Sequence, residues 1–276
     1  MTNIIFIASL DHSGSTMLDN ILANHSQMVG LGEIEYVIKQ YINFPNSVEI
    51  QKCSCEIEAE KCAFWGEVIL RFRKENHLTL PNGYEIVIEV FNKIYGESAI
   101  LVDSSKYRTA LRVLKELPAV NVQVLHLLKD VRAYTISRLD RAREKFGKNG
   151  FLLPHKQFRH WIRVNRSLLN ILEDSNMPFM RVGYEEICLD PVGTLNKVCT
   201  FIDVKFEHSM LELNKGGGHC LVGNRMRLQN KNRRLIYDSR WFSRNEWLMP
   251  SIIFPEIMKF NSEYVYSNRI DKLFMR

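Results

Sequence analysis

The sequence predicts an α/β chain with a central parallel β-sheet flanked by helices, and three observations carry that expectation. Short apolar runs recur at intervals, segments of helical periodicity separate them, and the first run leads into a turn of small hydroxyl residues that opens a helix. Strands that alternate with helices are joined by crossovers, which lay helices over both faces of a parallel sheet.

In chain order, the strand-like runs are roughly Asn3 to Ser9, Ala99 to Val102, Val122 to Leu128 and Phe179 to Val182, each β-branched or leucine-rich and followed by polar or turn-forming residues. Helical patterns, with apolar residues three and four apart, cover about Thr16 to Asn24, Tyr107 to Glu116, Arg132 to Arg143 and Lys156 to Asp174. Residues 43–65, with Pro45, Asn46 and three cysteines, break the alternation and read as an insertion. A second irregular stretch, about 214–234, contains Gly216-Gly217-Gly218, is basic and rich in asparagine, and reads as a mobile loop. No repeat or linker divides the 276 residues, so a single domain is expected.

Composition narrows the class. Hydrophobic residues make up 46% and charged residues 25%, which supports a packed core and excludes general disorder. The net charge of +6 suits a polyanionic partner but is ordinary among enzymes. No run reaches the roughly 18 to 20 apolar residues of a membrane-spanning helix, and Met1 to Leu10 lacks the basic flank and cleavage site of a secretion signal. The expectation is therefore a cytoplasmic protein without stable membrane insertion, whose cysteines (Cys53, Cys55, Cys62, Cys188, Cys199 and Cys220) remain thiols.

The turn Leu10-Asp11-His12-Ser13-Gly14-Ser15-Thr16 joins the first strand to the first helix. Such a junction gathers backbone N–H groups and the positive end of the helix dipole at one spot, an arrangement that attracts a phosphate or sulfate oxygen. Gly14 lets the backbone come close, Ser13, Ser15 and Thr16 add hydroxyl donors, and His12 adds a cationic or neutral N–H donor. The lysine of the nucleotide-triphosphatase loop G-x-x-x-x-G-K-[ST] is missing. A serine-rich helix cap without a ligand is the plainer alternative.

Ser13-Gly14-Ser15-Thr16 after a first strand resembles the 5'-phosphosulfate loop of the sulfotransferases. Leu127-Leu128-Lys129-Asp130-Val131-Arg132-Ala133, with Ser137 eight residues beyond Lys129, resembles that family's second signature, whose basic residue and serine hold a 3'-phosphate. Asp103-Ser104-Ser105-Lys106, and Tyr184-Glu185-Glu186 followed by Asp190-Pro191, are similar to further stations, and the likeness runs from residue 3 to about 230. It is closer to the carbohydrate and tyrosylprotein branch than to the aryl and steroid branch. Two positions depart from the pattern: His12 stands where most relatives carry arginine or lysine, and Lys129 where arginine is commoner. Lysine lacks arginine's bidentate fork, and His12 would make donor binding weaken as pH rises.

The resemblance implies a P-loop NTPase-like sulfotransferase fold. It also implies transfer of a sulfonate group from 3'-phosphoadenosine 5'-phosphosulfate (PAPS) to a hydroxyl or amine of a small molecule or glycan, with 3'-phosphoadenosine 5'-phosphate (PAP) as product and no metal required. It implies that Lys106 and His12 stabilise charge at the bridging oxygen and that Glu33, after Gly30-Leu31-Gly32, is the general base, with Glu35 as the alternative. Lys129 and Ser137, with Arg132 assisting, are expected at the 3'-phosphate and Tyr184 near the nucleotide. His219, Asn224, Arg225 and Arg227 are expected on a loop that closes over it. Residues 43–65 are expected on the acceptor side.

Several residues stay open between function and packing. Trp161, Trp241 and Trp247 fit either the core or a sugar-stacking platform. Cys53-x-Cys55 and Cys62 invite a zinc reading, but a structural site takes four ligands and the nearest histidine, His77, lies fifteen residues away, so buried thiols are expected and no metal. A small-molecule kinase with an atypical phosphate loop is the rival enzyme. A nucleic-acid module built on Arg225 to Arg234 leaves the hydroxyl-rich turn unexplained, so no nucleic-acid partner is expected. Acceptor identity and oligomeric state are not written in short motifs.

Overall fold

The computed structural model describes residues 1–44, 52–147, 152–213, 218–223 and 235–266. Among them five strands form one parallel sheet in the order β2-β3-β1-β4-β5. Its members are β1 (Thr2–Ser9), β2 (Met28–Gly30), β3 (Ile100–Lys106), β4 (Val120–Leu128) and β5 (Phe179–Gly183).

β1 reads as an unbroken apolar run because both its faces are covered. Ile4, Phe6 and Ala8 point into one core cluster and Ile5 and Ile7 into the other, the two-residue period of a strand. The first face carries α2 (Ile34–Asn43), α3 (Trp65–Lys74), α4 (Leu80–Tyr95), α5 (Arg108–Glu116) and part of α7 (Pro154–Ser175). The second carries α1 (Ser15–Leu22), α8 (Tyr184–Leu189) and α9 (Pro191–Phe201). α6 (Val131–Phe146), α7 and α11 (Pro255–Val265) share a smaller cluster around Trp161, Phe158 and Phe260, and α10 (Leu248–Ile253) leads into α11.

The α/β expectation with a parallel sheet and flanking helices is met, and all four expected strands are present. The structure corrects two details. β2 was not expected, because Met-Val-Gly is too short to show a period and is recruited by pairing with Ile100 to Val102. β3 runs past Val102 to Lys106, and its polar end is nevertheless buried. Asp103 there accepts hydrogen bonds from Tyr84 Oη (2.8 Å) and from Ser105 N (2.8 Å) and Oγ (2.5 Å), which offset the cost of burying it. Between β2 and β3 the described residues make three α-helices, with the short bridged loop 52–58 ahead of α3. No helix of the described residues is long and apolar enough to cross a membrane.

Candidate active site

In sheet order 2-3-1-4-5 the chain leaves β1 toward one edge and later crosses to the other, so the carboxyl ends of β3, β1 and β4 flank the place where such folds bind ligands. The turn after β1, Lys106 at the end of β3 and Lys129 just past β4 all sit there.

The turn closes through Ser13 N donating to Leu10 O (3.2 Å), and α1 starts when Met17 N and Leu18 N both donate to Gly14 O at 3.0 Å. Gly14 caps that helix at a φ of 96°, a left-handed conformation that favours glycine. It also has no room for a side chain: a Cβ there would lie 2.6 Å from Cδ2 of Tyr184. Ser13 and Ser15 are buried, whereas Thr16 and His12 are half-buried.

One strand away, a bulge re-aims the end of β3. Asn3 pairs with Ile100 but Ala8 with Lys106, so β3 holds one extra residue over that span, and Lys106 takes a φ of 70°. Its Nζ lies 2.6 Å from Glu33 Oε1 and 3.2 Å from Asp11 Oδ1, with the lysine only 7% exposed. Burial opposes the charge, but the two carboxylates more than compensate and hold the ammonium above its ordinary pKa. Glu33 reaches this point because Leu31 N donates to Val102 O (3.0 Å) and Ser104 N to Gly32 O (2.9 Å), pinning its segment to β3. Glu35, two residues on, is turned into the protein. Its carboxylate accepts from Lys39 and Thr109, and its N–H donates to Ser105 Oγ at 2.9 Å.

Beyond β4, Lys129 is 4% exposed, with Nζ 3.3 Å from Asp238 Oδ2 and 4.5 Å from the centre of the Tyr184 ring. The loop is held by Trp161, whose indole N–H donates to Lys129 O (3.0 Å), and by Asp130, which accepts from Arg132, Asn261 and Tyr266. Asp238 also accepts from Arg240 Nε (2.7 Å) and Nη2 (2.9 Å), and Arg240 first, with Lys129, pulls its pKa down to about 2 against the effect of burial. Tyr184 Oη accepts from Asp238 N (3.3 Å), so one ring touches Gly14, Lys129 and the Asp238 backbone.

A profile of the sulfotransferase family matches residues 4–208 of the 276. The chain belongs to that family. Its fold is that of the sulfotransferase domain of the Synechococcus PCC 7002 olefin synthase (TM-score 0.63, 18% identity, 92% of this chain and 96% of that one). It is also that of the sulfotransferase domain of the curacin biosynthetic pathway (TM-score 0.59, 20% identity, 89% and 87%). Mouse sulfotransferase SULT7A1 complexed with PAP is similar at a TM-score of 0.51 and 12% identity over 99% of this chain and 88% of that one. An uncharacterized protein of Aquifex aeolicus is 22% identical over 216 residues, 76% of this chain, which in turn spans about a quarter (27%) of that relative's length.

Within this sulfotransferase-family chain, the turn residues His12 to Thr16, Lys106 and Glu33 lie at one end of the site, and Lys129 and Tyr184 at the other. Ser137 lies in the second turn of α6, half-buried. Asn224, Arg225 and Arg227 lie outside the described residues, as does most of the basic stretch 214–234.

Three expectations change. Burial first, then the charge of Arg138, pushes the His12 imidazole down to about 4, so near neutral pH it offers an uncharged N–H rather than a cation, and the expected weakening of donor binding as pH rises through neutrality is withdrawn. Arg132 is spent on Asp130 (2.6 Å) and on the Trp241 ring (4.3 Å), which assigns both side chains to holding the loop. Trp161 is fully buried and belongs to the core, and Trp247 donates to Trp241 O (2.8 Å). His219, expected with the late loop, instead meets Cys53 and Cys62.

Asp11, Arg138, Asp238 and Arg240 were missed by the sequence reading. Asp11 and Arg138 neighbour recognised positions and were legible on that ground; Asp238 lies 109 residues from Lys129 and carries no local signal.

Proposed function

We propose that the chain transfers a sulfonate group from PAPS to a hydroxyl or amine of a small-molecule or glycan acceptor, in the cytoplasm, where clustered thiols stay reduced. The observation that carries the proposal is the Lys106–Glu33 pair at 2.6 Å beside the turn capped by Gly14, because it sets a proton acceptor and a cation side by side at an anion-binding helix start.

PAPS supplies an activated sulfonate, and the residues present fit it at both ends. A helix start capped by Gly14 and flanked by the hydroxyls of Ser13, Ser15 and Thr16 suits the 5' side, and a buried lysine backed by Arg240 suits the 3'-phosphate. Ser13, Ser15 and Thr16 orient the 5' end. Glu33 takes the acceptor's proton as its oxygen or nitrogen bonds to sulfur, and Lys106 meets the negative charge left on the bridging oxygen when the sulfur–oxygen bond breaks. His12 adds a neutral N–H donor. Lys129, with Ser137, Asn224 and Arg227, holds the remaining nucleotide. Glu33 is preferred to Glu35 as base because Glu35 is committed to Thr109 and Lys39. The fold likeness to a sulfotransferase complexed with PAP supports the donor.

The test is calorimetric binding of PAP followed by transfer of labelled sulfonate from PAPS across a panel of alcohols, amines and glycans. Saturable PAP binding and one labelled acceptor class are expected. Magnesium-dependent ATP hydrolysis without PAP binding would instead establish the kinase alternative.

A further inference from the structure

Away from the proposed chemistry, three thiols and an imidazole converge on one point. Cys53 and Cys55 stand on a tight turn closed by Cys53 N donating to Ile57 O (2.8 Å) and Glu56 N to Cys53 O (2.9 Å), with Glu56 at a φ of 69°. Cys62 follows the single helical turn Ala59–Lys61 and leads into α3. His219 arrives from 157 residues beyond Cys62, its N–H donating to Gly30 O (2.7 Å), its carbonyl accepting from Trp65 Nε1, and its ring stacked 6.1 Å from Phe64. One ligand atom from each of the four lies within 4.8 Å of all the others.

The separations match a metal polyhedron. Bonds of about 2.3 Å to sulfur and about 2.0–2.1 Å to nitrogen, set at tetrahedral angles, give edges of about 3.8 Å between sulfurs and about 3.5 Å from sulfur to nitrogen. Cys55 Sγ lies 3.8 Å from Cys62 Sγ, and His219 Nδ1 lies 3.2 Å from Cys62 Sγ and 3.8 Å from Cys53 Sγ. Thiol hydrogen bonds alone give no reason for four such groups to share a centre, since thiols are weak donors. A disulfide would use two sulfurs and leave the third thiol and the imidazole stranded.

We propose that Cys53, Cys55, Cys62 and His219 form a closed tetrahedral site for one zinc ion. Four protein ligands leave no position for water or substrate, so the ion is structural and takes no part in transfer. It ties the loop 52–62 to the segment 218–223, which is also laced to it by Ser54 N donating to Cys220 O (2.9 Å), Cys220 N to Ser54 Oγ (2.9 Å) and Ser54 Oγ to Gly218 O (2.7 Å). That segment includes Gly223, where a Cβ would lie 3.5 Å from Thr16 Oγ1 and 3.9 Å from Glu33 Oε1. The ion therefore fixes a wall of the candidate active site from outside it.

The test uses the untagged full-length chain, purified with zinc in the medium and dialysed into metal-free buffer. Elemental analysis is expected to find about one zinc per chain, falling below about 0.2 in Cys62→Ser and His219→Ala, retained in the conservative ligand swap His219→Cys and unchanged in Cys199→Ser. If Cys62→Ser does not fold, the wild-type chain decides: cobalt in place of zinc should give the visible spectrum of tetrahedral thiolate coordination, and a mercurial should release the zinc as the thiols react. A wild-type chain without metal, equal zinc in wild type, Cys62→Ser and His219→Ala, or a Cys55–Cys62 disulfide in the non-reduced chain each overturns the proposal. None of these readouts depends on the transfer activity.

Discussion

Lys106 closes β3 and Lys129 follows β4, the two strands that flank β1, and both are more than nine-tenths buried, yet they keep opposite company. Lys106 faces two carboxylates, Glu33 and Asp11. Lys129 shares a single carboxylate, Asp238, with Arg240 and rests on an aromatic face. A further acid near Lys129, Glu185, is pushed up to about 8 by burial and by the charge of Asp130, so at neutral pH it is largely protonated and adds little negative charge. At the first end one lysine thus faces two carboxylates, whereas at the second two cations, Lys129 and Arg240, converge on Asp238, with Arg240 also paired to Asp140. Two cations converging on one carboxylate are suited to an anion, whereas a cation between two carboxylates is suited to handling a proton, which is the division the proposed function draws.

The largest effect that tests this contrast is at Glu33. Glu33→Gln should leave PAP binding near the wild-type value by calorimetry while turnover falls about 10²–10⁴-fold, the usual scale for losing a general base. Turnover close to normal would dissolve the division between the two ends. The next effect is at Lys129, where Lys129→Ala removes a buried charge partner and should weaken PAP binding by about 10- to 100-fold, with a much smaller change in kcat at saturating donor. An equal loss in kcat would make both lysines part of the chemistry.

The smallest effect concerns stability and sharpens the same comparison, since each end rests on a buried carboxyl. Asp103, three residues before Lys106, is pushed up to about 7 chiefly by burial, and Glu185 to about 8. Both folded values lie above the unfolded ones, so the native state binds more protons over the intervening range, and the stability these groups add below about pH 4 is lost as pH rises through 7 and 8. His12 and His126, both lowered to about 4, act in the other direction but only below about pH 6.5. Between pH 6.5 and 8.5 the melting temperature should therefore fall. Asp103→Asn should remove about 2–3 °C of that fall, mostly below about pH 7.5, and Glu185→Gln about twice as much, extending about one pH unit higher. A profile unchanged by either variant would show that both carboxyls are ionised throughout.

How much of this was legible depends on how far the chain travels to assemble each part. The turn from Asp11 to Thr16 is contiguous, so residue types and spacing were enough to single it out as a candidate anion site, beside the plainer reading of a helix cap. Lys129 was named through the family resemblance, as the basic residue that follows a leucine-rich strand. β2 escaped because three residues show no period and its pairing partner lies about seventy positions away. Asp238 escaped, and His219 was placed with the late loop rather than with the cysteines, because each meets a partner more than a hundred residues distant. A histidine near Cys53 to Cys62 in sequence was the wrong thing to expect, since the imidazole that meets these thiols comes from 157 residues beyond Cys62.

The Tyr184 ring lies between Gly14 and Lys129 and touches both. Under the proposed donor assignment it stands between the place for the 5'-phosphosulfate and the place for the 3'-phosphate. Adenosine 5'-phosphosulfate, which has no phosphate on its ribose, would then lack the contact on the Lys129 side of that ring.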